Sequence, residues 1–403
     1  MPEYTAEEAA SRSGATREFV ARMTSAGLVG DDDEVGFSDA DIRRLQVLQS
    51  VERAGVPLDG LAALVKSGYL SLDFIDSAGT PVFTPLEDTT FSQLSEETGI
   101  PIGILATTRE ALGGLPPGPD DQVRQSELAV LPLVQLQHEL GFQDRAIEQA
   151  LRVYGDSLRR IAETEAEWFR SEIIEPMLAK GMTEDEVGRF AAEVGPRLTD
   201  VSDQAVIAIY HGQQSHSWLA NITNGIALAL ENVGLHTVEH RVPAMCFLDI
   251  SGYTNLTSKE GDQVAADLAE ELRKVVQPAA MGQGGRAVKW LGDGVMFWFP
   301  DAKSGVLGAV EMIEGVEAGE LPSAHVGVHA GPVVFQEGDY YGNTVNIAAR
   351  IGEFARPGEV LVSQEVVDRA DVGSSVSFRE VGAVELKGVL EPMVLHAASS
   401  LGA

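Results

Sequence analysis

Between residues 245 and 335, short apolar segments alternate with helical ones, and their order restricts the fold more than any other feature. Runs rich in β-branched and aromatic residues predict strands, whereas apolar residues three or four positions apart predict helices. The predicted elements are a strand at 245–250, a helix at 265–276, two strands within 286–299, a helix at 304–316 and two strands within 325–335. This β-α-β-β-α-β order is the plan of a ferredoxin-like domain.

The sequence ahead of this domain predicts mainly helices. Ser38 opens a helical pattern over 38–55, with apolar residues recurring about once per turn. Farther upstream, Thr5 or Ser11 could cap short helices, because a side-chain oxygen there accepts hydrogen bonds from the free amides of the first turn. The predicted fold class is therefore α+β: a ferredoxin-like domain preceded by a mainly α-helical region with helix-turn-helix-like units.

The helical pattern recurs about 85 residues later. Residues 91–105 align with the first pair of short helices, with Gly99 opposite Gly14, and residues 126–142 align with the helix at 38–55. We interpret this as an internal repeat. The alternative is a chance similarity between short helices joined by glycine turns.

These patterns predict four segments. They are a helix-turn-helix-like unit at 1–75, a repeat-like helical unit at 88–160, a helical linker or dimerisation region at 161–240, and the ferredoxin-like domain at 241–398.

The chain is strongly acidic. Its 403 residues include 29 Lys and Arg against 61 Asp and Glu, a formal net charge of −32. Such a balance repels nucleic acid and anionic membranes, so a polyanion needs a local site built from metal ions or a few basic side chains. The single cysteine, Cys246, excludes an internal disulfide framework, and no segment reaches the roughly 18 apolar residues of a membrane helix. We expect a cytoplasmic protein without a membrane partner.

Two aspartates stand out in the C-terminal domain. Asp249 lies at the end of the first predicted strand, and Asp293 lies between Gly292 and Gly294 in a predicted turn. Two carboxylates side by side form a hard-oxygen site for divalent cations on a phosphate substrate. Either aspartate alone could be a strand-end cap or a turn former, but their joint occurrence favours a metal site.

Three motifs in a fixed order carry a family resemblance. They are C-F-L-D-I-S-G-Y-T at 246–254, K-W-L-G-D-G-V-M-F at 289–297 and D-Y-Y-G-N-T-V-N-I-A-A-R at 339–350. With them, the chain from about Val242 to Val394 resembles the catalytic domain of class III adenylyl and guanylyl cyclases. The resemblance implies cyclisation of a nucleoside triphosphate, with in-line attack of the ribose 3′-hydroxyl on the α-phosphorus and release of pyrophosphate.

The resemblance also assigns the metal and phosphate sites. Asp249, Asp293 and the backbone carbonyl of Ile250 match the family's ligands for two Mg²⁺ or Mn²⁺ ions per active site. The residues that match the turn around the phosphates are Phe247, Ser251 and Gly252.

Base selection is assigned to Lys289 and Asp339. A lysine can donate to the purine N1 and an aspartate can accept from the 6-amino group, a pairing that suits adenine, whereas guanine presents the reverse pattern. The resemblance therefore implies an adenylyl cyclase that uses ATP. A guanylyl cyclase is the alternative within the same family.

Three further residues match the family's motifs. Asn346 and Arg350 are four residues apart on a predicted helix and share one face. By the resemblance, Asn346 orients the ribose, Arg350 stabilises transition-state charge, and Lys387 holds the terminal phosphates. In this family the metal ligands come from one subunit and the other residues from its partner. Because this chain carries both sets, the resemblance implies a homodimer with composite sites.

The N-terminal segment carries a second, weaker resemblance. Residues 4–29, followed by 37–45, resemble the winged helix-turn-helix of MerR-type regulators, with Arg17 and Arg22 on the predicted recognition helix. Over residues 1–75, 13 Asp and Glu outnumber 7 Lys and Arg, which argues against DNA binding and favours a fold reused for regulation or dimerisation. A DNA-binding regulator that only senses nucleotide is the alternative from a different functional class.

Overall fold

The computed structural model describes residues 4–30, 36–72, 75, 84–235, 242–253, 258–259, 261–319 and 321–401. The chain forms two compact units, Met1–Asn224 and Gly225–Ala403. The predicted boundary between linker and ferredoxin-like domain, at 240–241, lies outside the described residues.

Before residue 236, the described residues form mainly helices, together with one small two-stranded sheet. Its elements are α1 (Ala6–Ser13), α2 (Arg17–Ser25), α3 (Asp39–Arg53), α4 (Leu58–Lys66), β1 (Leu86–Thr90), α5 (Phe91–Thr98), α6 (Ile102–Ala111), β2 (Gln122–Arg124), α7 (Gln125–Glu139), α8 (Asp144–Phe169), α9 (Glu175–Ala179) and α10 (Glu184–Asn232). A π-helical turn, Arg170–Ile174, joins α8 to α9.

Capping boxes begin two of the predicted helices. The Thr5 hydroxyl accepts from the Glu8 amide at the start of α1, and the Glu8 carboxylate accepts from the Thr5 amide in return. Ser38 and Asp41 form the same arrangement at the start of α3. Ser11, the other candidate cap, lies inside α1 instead, because Thr5 already satisfies the first turn.

The two predicted repeat units have the same order of elements. Gly14 ends α1 and Gly99 ends α5, both with left-handed backbone. An isolated bridge between Tyr4 and Phe37 in the first unit corresponds to the β1–β2 pair in the second. Each unit has its own apolar core. Helix α8 runs across the predicted boundary at 160, and the helix-turn-helix character of both units stays a prediction.

The C-terminal domain contains the remaining elements. They are β3 (Ala244–Ile250), α11 (Asp262–Gly282), β4 (Arg286–Trp290), β5 (Gly294–Phe299), α12 (Ala302–Ala318), β6 (Ala324–Ala330), β7 (Val334–Gln336), β8 (Asp339–Tyr341), α13 (Asn343–Phe354), β9 (Val360–Ser363), α14 (Gln364–Arg369), β10 (Val376–Val384) and β11 (Met393–Ser400).

Seven strands form the main sheet, in the order β10-β11-β9-β6-β3-β5-β4. Within it, β6, β3, β5 and β4 are antiparallel neighbours in the arrangement of a βαββαβ domain. The predicted α+β fold with a ferredoxin-like domain is therefore confirmed. Strand β9 pairs in parallel with β6, and β7 and β8 form a separate hairpin.

The two faces of the sheet contact different helices. Cys246 and Leu248 of β3 pack in the core that contains residues of α11 and α12, whereas Met245 packs with Ala348 of α13. Because side chains alternate along a strand, Phe247 and Asp249 lie on the α13 face.

Helix α13 lies unusually close to this face because two glycines meet. A Cβ atom on Gly327 of β6 would lie 2.1 Å from the backbone nitrogen of Gly352 and 2.6 Å from the Ala348 oxygen. Only a residue without a side chain permits this approach. The pair thus sets the depth at which α13 packs on the sheet.

Candidate active site

Asp249 occupies the end of β3 on the α13 face. Strand pairing places it opposite Gly294 of β5 and His325 of β6. Burial raises the pKa of the Asp249 carboxyl, and the neighbouring negative charge of Asp293 raises it further. The site therefore concentrates negative charge that a cation would relieve.

The turn between β4 and β5 carries Asp293, as its flanking glycines predicted. The backbone oxygen of Asp293 accepts a hydrogen bond of 3.2 Å from the Ile250 amide, which ties the turn to the end of β3. A Cβ atom on Gly294 would lie 3.0 Å from Oδ1 of Asp249. The glycine thus leaves room for the carboxylate, and the structure brings Asp249 and Asp293 together.

His325 is a site residue that the sequence reasoning missed. Its Nε2 lies 3.7 Å from Oδ2 of Asp249, and its Nδ1 lies 3.2 Å from the Ser251 hydroxyl. The signal that could have found it is strand register, because Asp249 and His325 are direct partners in the β3–β6 pair. Register between distant strands is not visible in a single sequence.

A cavity of about 290 Å³ opens beside Asp249. Phe247 and His325 line it from the sheet, and Gly352 and Glu353 line it from α13. Of the predicted phosphate-turn residues, only Phe247 lies in this wall.

Ser251 and Gly252 follow the end of β3. Ser251 is half-buried, and its amide donates to the backbone oxygen of Ser323 over 2.9 Å. Gly252 is exposed and has a φ of 82°, a left-handed conformation that favours glycine. A left-handed glycine lets the chain turn sharply directly after the strand that carries Asp249.

Lys289 and Asp339 meet, as the sequence predicted for a base-reading pair. The ammonium nitrogen of Lys289 lies 3.2 Å from Oδ2 of Asp339. The other carboxylate oxygen of Asp339 accepts from the Tyr340 amide over 2.8 Å. A donor and an acceptor are therefore presented side by side on β4 and β8.

Asn346 and Arg350 lie on α13, separated by one turn as predicted. Asn346 is exposed. Both oxygens of the Glu353 carboxylate accept from Nη1 of Arg350 at 2.6 Å. In this structure the guanidinium is therefore paired within its own helix.

Lys387 is exposed in the turn that follows β10. Its neighbour Leu386 packs with Ile347 and Ile351 of α13. The turn that carries Lys387 is thus attached to the helix of Asn346 and Arg350, while β10 lies at the sheet edge away from β3.

The predicted site residues fall into two groups within one chain. Asp249, Ile250 and Asp293 form the first group, with His325 and Ser251 beside them. The second group comprises Lys289, Asp339, Asn346, Arg350 and Lys387. None of these five lines the cavity beside Asp249.

Comparisons with known proteins agree with the two-part organisation of the chain. Residues 237–397 match the family described as adenylate and guanylate cyclase catalytic domain. Residues 86–210 match an adenylate cyclase regulatory domain. Within the described ranges, no helix has the length and apolar character needed to cross a membrane.

Curated relatives include proteins of Mycobacterium tuberculosis and of two Streptomyces species. An uncharacterised protein of Mycobacterium tuberculosis is 28% identical over 92% of this chain and 89% of its own length. An adenylate cyclase of Streptomyces griseus is 30% identical, over 53% of this chain and 51% of that protein. An adenylate cyclase of Streptomyces coelicolor is 26% identical, over 70% of this chain and 73% of that protein.

Among solved structures, an adenylyl cyclase from P. aeruginosa is similar to this chain. The two sequences are 22% identical, and the match covers 39% of this chain and 92% of the other chain with a TM-score of 0.36. The predictions of a cyclase catalytic domain and of a cyclase enzyme are confirmed by the family matches, whereas the MerR-type resemblance of residues 1–75 stays a prediction. The chain is a cyclase enzyme with a class III adenylate and guanylate cyclase catalytic domain preceded by an adenylate cyclase regulatory domain.

Proposed function

We propose that this enzyme is an adenylyl cyclase that converts ATP to 3′,5′-cyclic AMP and pyrophosphate. The observation that carries the proposal is the Lys289–Asp339 pair, which sets a donor and an acceptor 3.2 Å apart. The N1 of adenine accepts from such a lysine, and its 6-amino group donates to such an aspartate, whereas guanine presents the reverse pattern at both atoms. The names of the two Streptomyces relatives support the same substrate.

The residues around Asp249 fit a divalent metal. Two carboxylates and the carbonyl of Ile250 are hard oxygen donors, and Gly294 leaves space beside them. Burial and the charge of Asp293 raise the pKa of the Asp249 carboxyl, and a bound cation would offset both effects. We propose that Asp249, Asp293 and Ile250 hold Mg²⁺ or Mn²⁺. When bound, these ions would make the ribose 3′-hydroxyl more acidic and neutralise charge on the phosphates.

The second group of residues would bind and orient the rest of the nucleotide. Lys289 and Asp339 hold the base, and Asn346 holds the ribose so that its 3′-hydroxyl lies in line with the α-phosphorus. Arg350 stabilises the charge that develops at the phosphorus, because its guanidinium is always protonated. Lys387 binds the terminal phosphates.

We propose that the active enzyme is a homodimer, in which each site combines the two groups from different chains. None of the second group lines the Asp249 cavity of its own chain, which supports this arrangement.

Helix α10 supports a homodimer independently. Between Asp203 and Glu231 it carries no charged side chain, although charged residues make up 22% of the sequence. The apolar residues Val201, Leu219 and Ile222 are 65%, 63% and 59% exposed. They fall on a and d positions of a heptad pattern that also includes Leu198 and Ile226. In a chain of net charge −32, this face allows two copies to approach without repulsion.

The experiment that tests the substrate uses the full-length chain with Mg²⁺ or Mn²⁺, and with ATP or GTP. We expect cyclic AMP from ATP and at least about tenfold lower kcat/KM with GTP, since each reversed hydrogen bond leaves a polar group unpaired. Preference for GTP would establish the guanylyl cyclase alternative.

The nucleotide-sensing alternative has its own signature. This alternative predicts that neither ATP nor GTP is turned over with either metal. It also predicts that the chain binds a specific DNA sequence at physiological salt. The regulatory role of the N-terminal region and the cytoplasmic location expected from the lone Cys246 stay predictions.

A further inference from the structure

The hairpin of β7 and β8 carries Asp339 but lies outside the main sheet. Its two-residue turn, Glu337–Gly338, has φ values of 53° and 79°, as a tight type I′ turn requires. Of residues 334–341, all of which are described, only Tyr340 is buried. A two-stranded hairpin is marginally stable by itself, so the position of Asp339 depends on how Tyr340 is held.

Tyr340 is held by aromatic packing and by one charged donor. Its ring stacks on Trp298 with 6.0 Å between centroids and an interplanar angle of 11°, and Phe335 covers it at 5.0 Å. The guanidinium of Arg286 donates to the Tyr340 hydroxyl over 2.6 Å and lies 4.8 Å from the Trp298 ring centre. Charge-assisted hydrogen bonds of this kind are among the stronger contacts in proteins.

A register shift in β4 aligns this contact with the base-reading pair. Arg286 pairs with Trp298 and Lys289 pairs with Met296, so β4 contains one residue more than β5 between these two pairs. Trp298 and Met296 are two residues apart on β5 and share a face. The bulge therefore turns Arg286 and Lys289 to one face, whereas a regular strand would place residues three apart on opposite faces.

Strand β4 is thus joined to β8 by two contacts side by side. Lys289 meets Asp339, and Arg286 meets the next residue, Tyr340. We propose that Arg286 and Tyr340 are positioning residues for base selection, which hold the Asp339 acceptor at the distance from Lys289 that a 6-aminopurine requires. The inference rests on the proposed function, because it assumes that Lys289 and Asp339 bind adenine.

Two substitutions test the inference. Tyr340→Phe keeps the ring and removes the hydroxyl, and Arg286→Met keeps a long unbranched side chain and removes the donor. The measurement is kcat/KM for ATP and for inosine triphosphate, which carries an oxygen in place of the 6-amino group. The ATP preference is the ratio of kcat/KM for ATP to kcat/KM for inosine triphosphate. We expect each variant to lower this ratio about fivefold to tenfold, mainly through a higher KM for ATP.

Two controls separate positioning from a general loss of structure. The double variant should lose no more preference than either single variant, because both remove the same contact. Tyr341→Phe, at the exposed neighbouring tyrosine, should leave the preference unchanged. Thermal unfolding is measured for every variant.

Two results would overturn the inference while leaving the proposed function intact. One is an unchanged ATP preference in both single variants. The other is an equal loss with both nucleotides that follows a lowered Tm, because the contact would then only stabilise the fold. Failure of the proposed function is visible separately, in the unsubstituted enzyme: if that enzyme does not prefer ATP, both proposals are overturned.

Discussion

At the scale of single residues, the charge on Asp249 has the most direct physical consequence. Burial and the charge of Asp293 raise its pKa, so the folded chain binds a proton at this carboxyl more tightly than the unfolded chain does. Stability therefore falls as pH rises from the unfolded pKa through the folded one, and this fall is the penalty of ionising the buried carboxyl. A bound divalent cation would remove it.

We expect Asp249→Asn to raise Tm at neutral pH in the presence of EDTA, by only about 1 °C because the carboxyl is half exposed. The same variant should lose the stabilisation that Mg²⁺ or Mn²⁺ gives the original chain, and its activity should fall at least about a hundredfold. Differential scanning fluorimetry across pH and metal concentration checks this. Asp267→Asn, at an exposed aspartate of α11, is the matched control; equal metal stabilisation in the Asp249 variant would remove Asp249 from the metal site.

Residue identities in the site could be predicted from sequence only where the motif is local. Asp249, Asp293 and Lys289 stand in short motifs whose glycines and apolar neighbours already indicate a strand end or a turn. His325 and Arg286 could not be predicted in this way. Their partners lie on other strands, and a pairing register or a bulge is set by the packing of the whole sheet rather than by nearby sequence.

At the scale of elements, the close approach of α13 to the sheet controls where Asn346 and Arg350 lie. The backbone of Gly327 contacts that of Gly352, and backbone atoms cannot move aside as a flexible side chain could. The order of helices and strands was predictable from apolar spacing. The depth of α13 was not, because a glycine in a strand gives no indication of what approaches it.

Gly327→Ala should therefore displace α13 from the sheet. We expect a loss of at least about 2 kcal/mol in the free energy of unfolding, together with loss of most cyclase activity. Gly282→Ala is the control, since a Cβ there would meet no atom within 4 Å. Chemical denaturation and activity of both variants provide the measurement. If Gly327→Ala keeps normal stability and activity, α13 is not positioned by this contact.

At the scale of the whole molecule, one chain carries two groups of site residues, and none of the second group lines the cavity beside Asp249. The first group lies around Asp249, and the second includes Arg350, which is paired with Glu353 within its own helix. A second copy would bring the second group of one chain to the first group of the other. In the proposed homodimer, the stretch of α10 without charged side chains would let two acidic chains approach each other.

The most direct test of this account mixes two inactive chains. We expect Asp249→Asn and Arg350→Ala, each alone, to make almost no cyclic AMP from ATP. After co-refolding or co-expression in equal amounts, half of the dimers contain one chain of each kind, and each mixed dimer has one intact site. The mixture should therefore recover about a quarter of the original activity. If the mixture stays as inactive as its components while forming mixed dimers, each site is built within a single chain and the composite-site account is wrong.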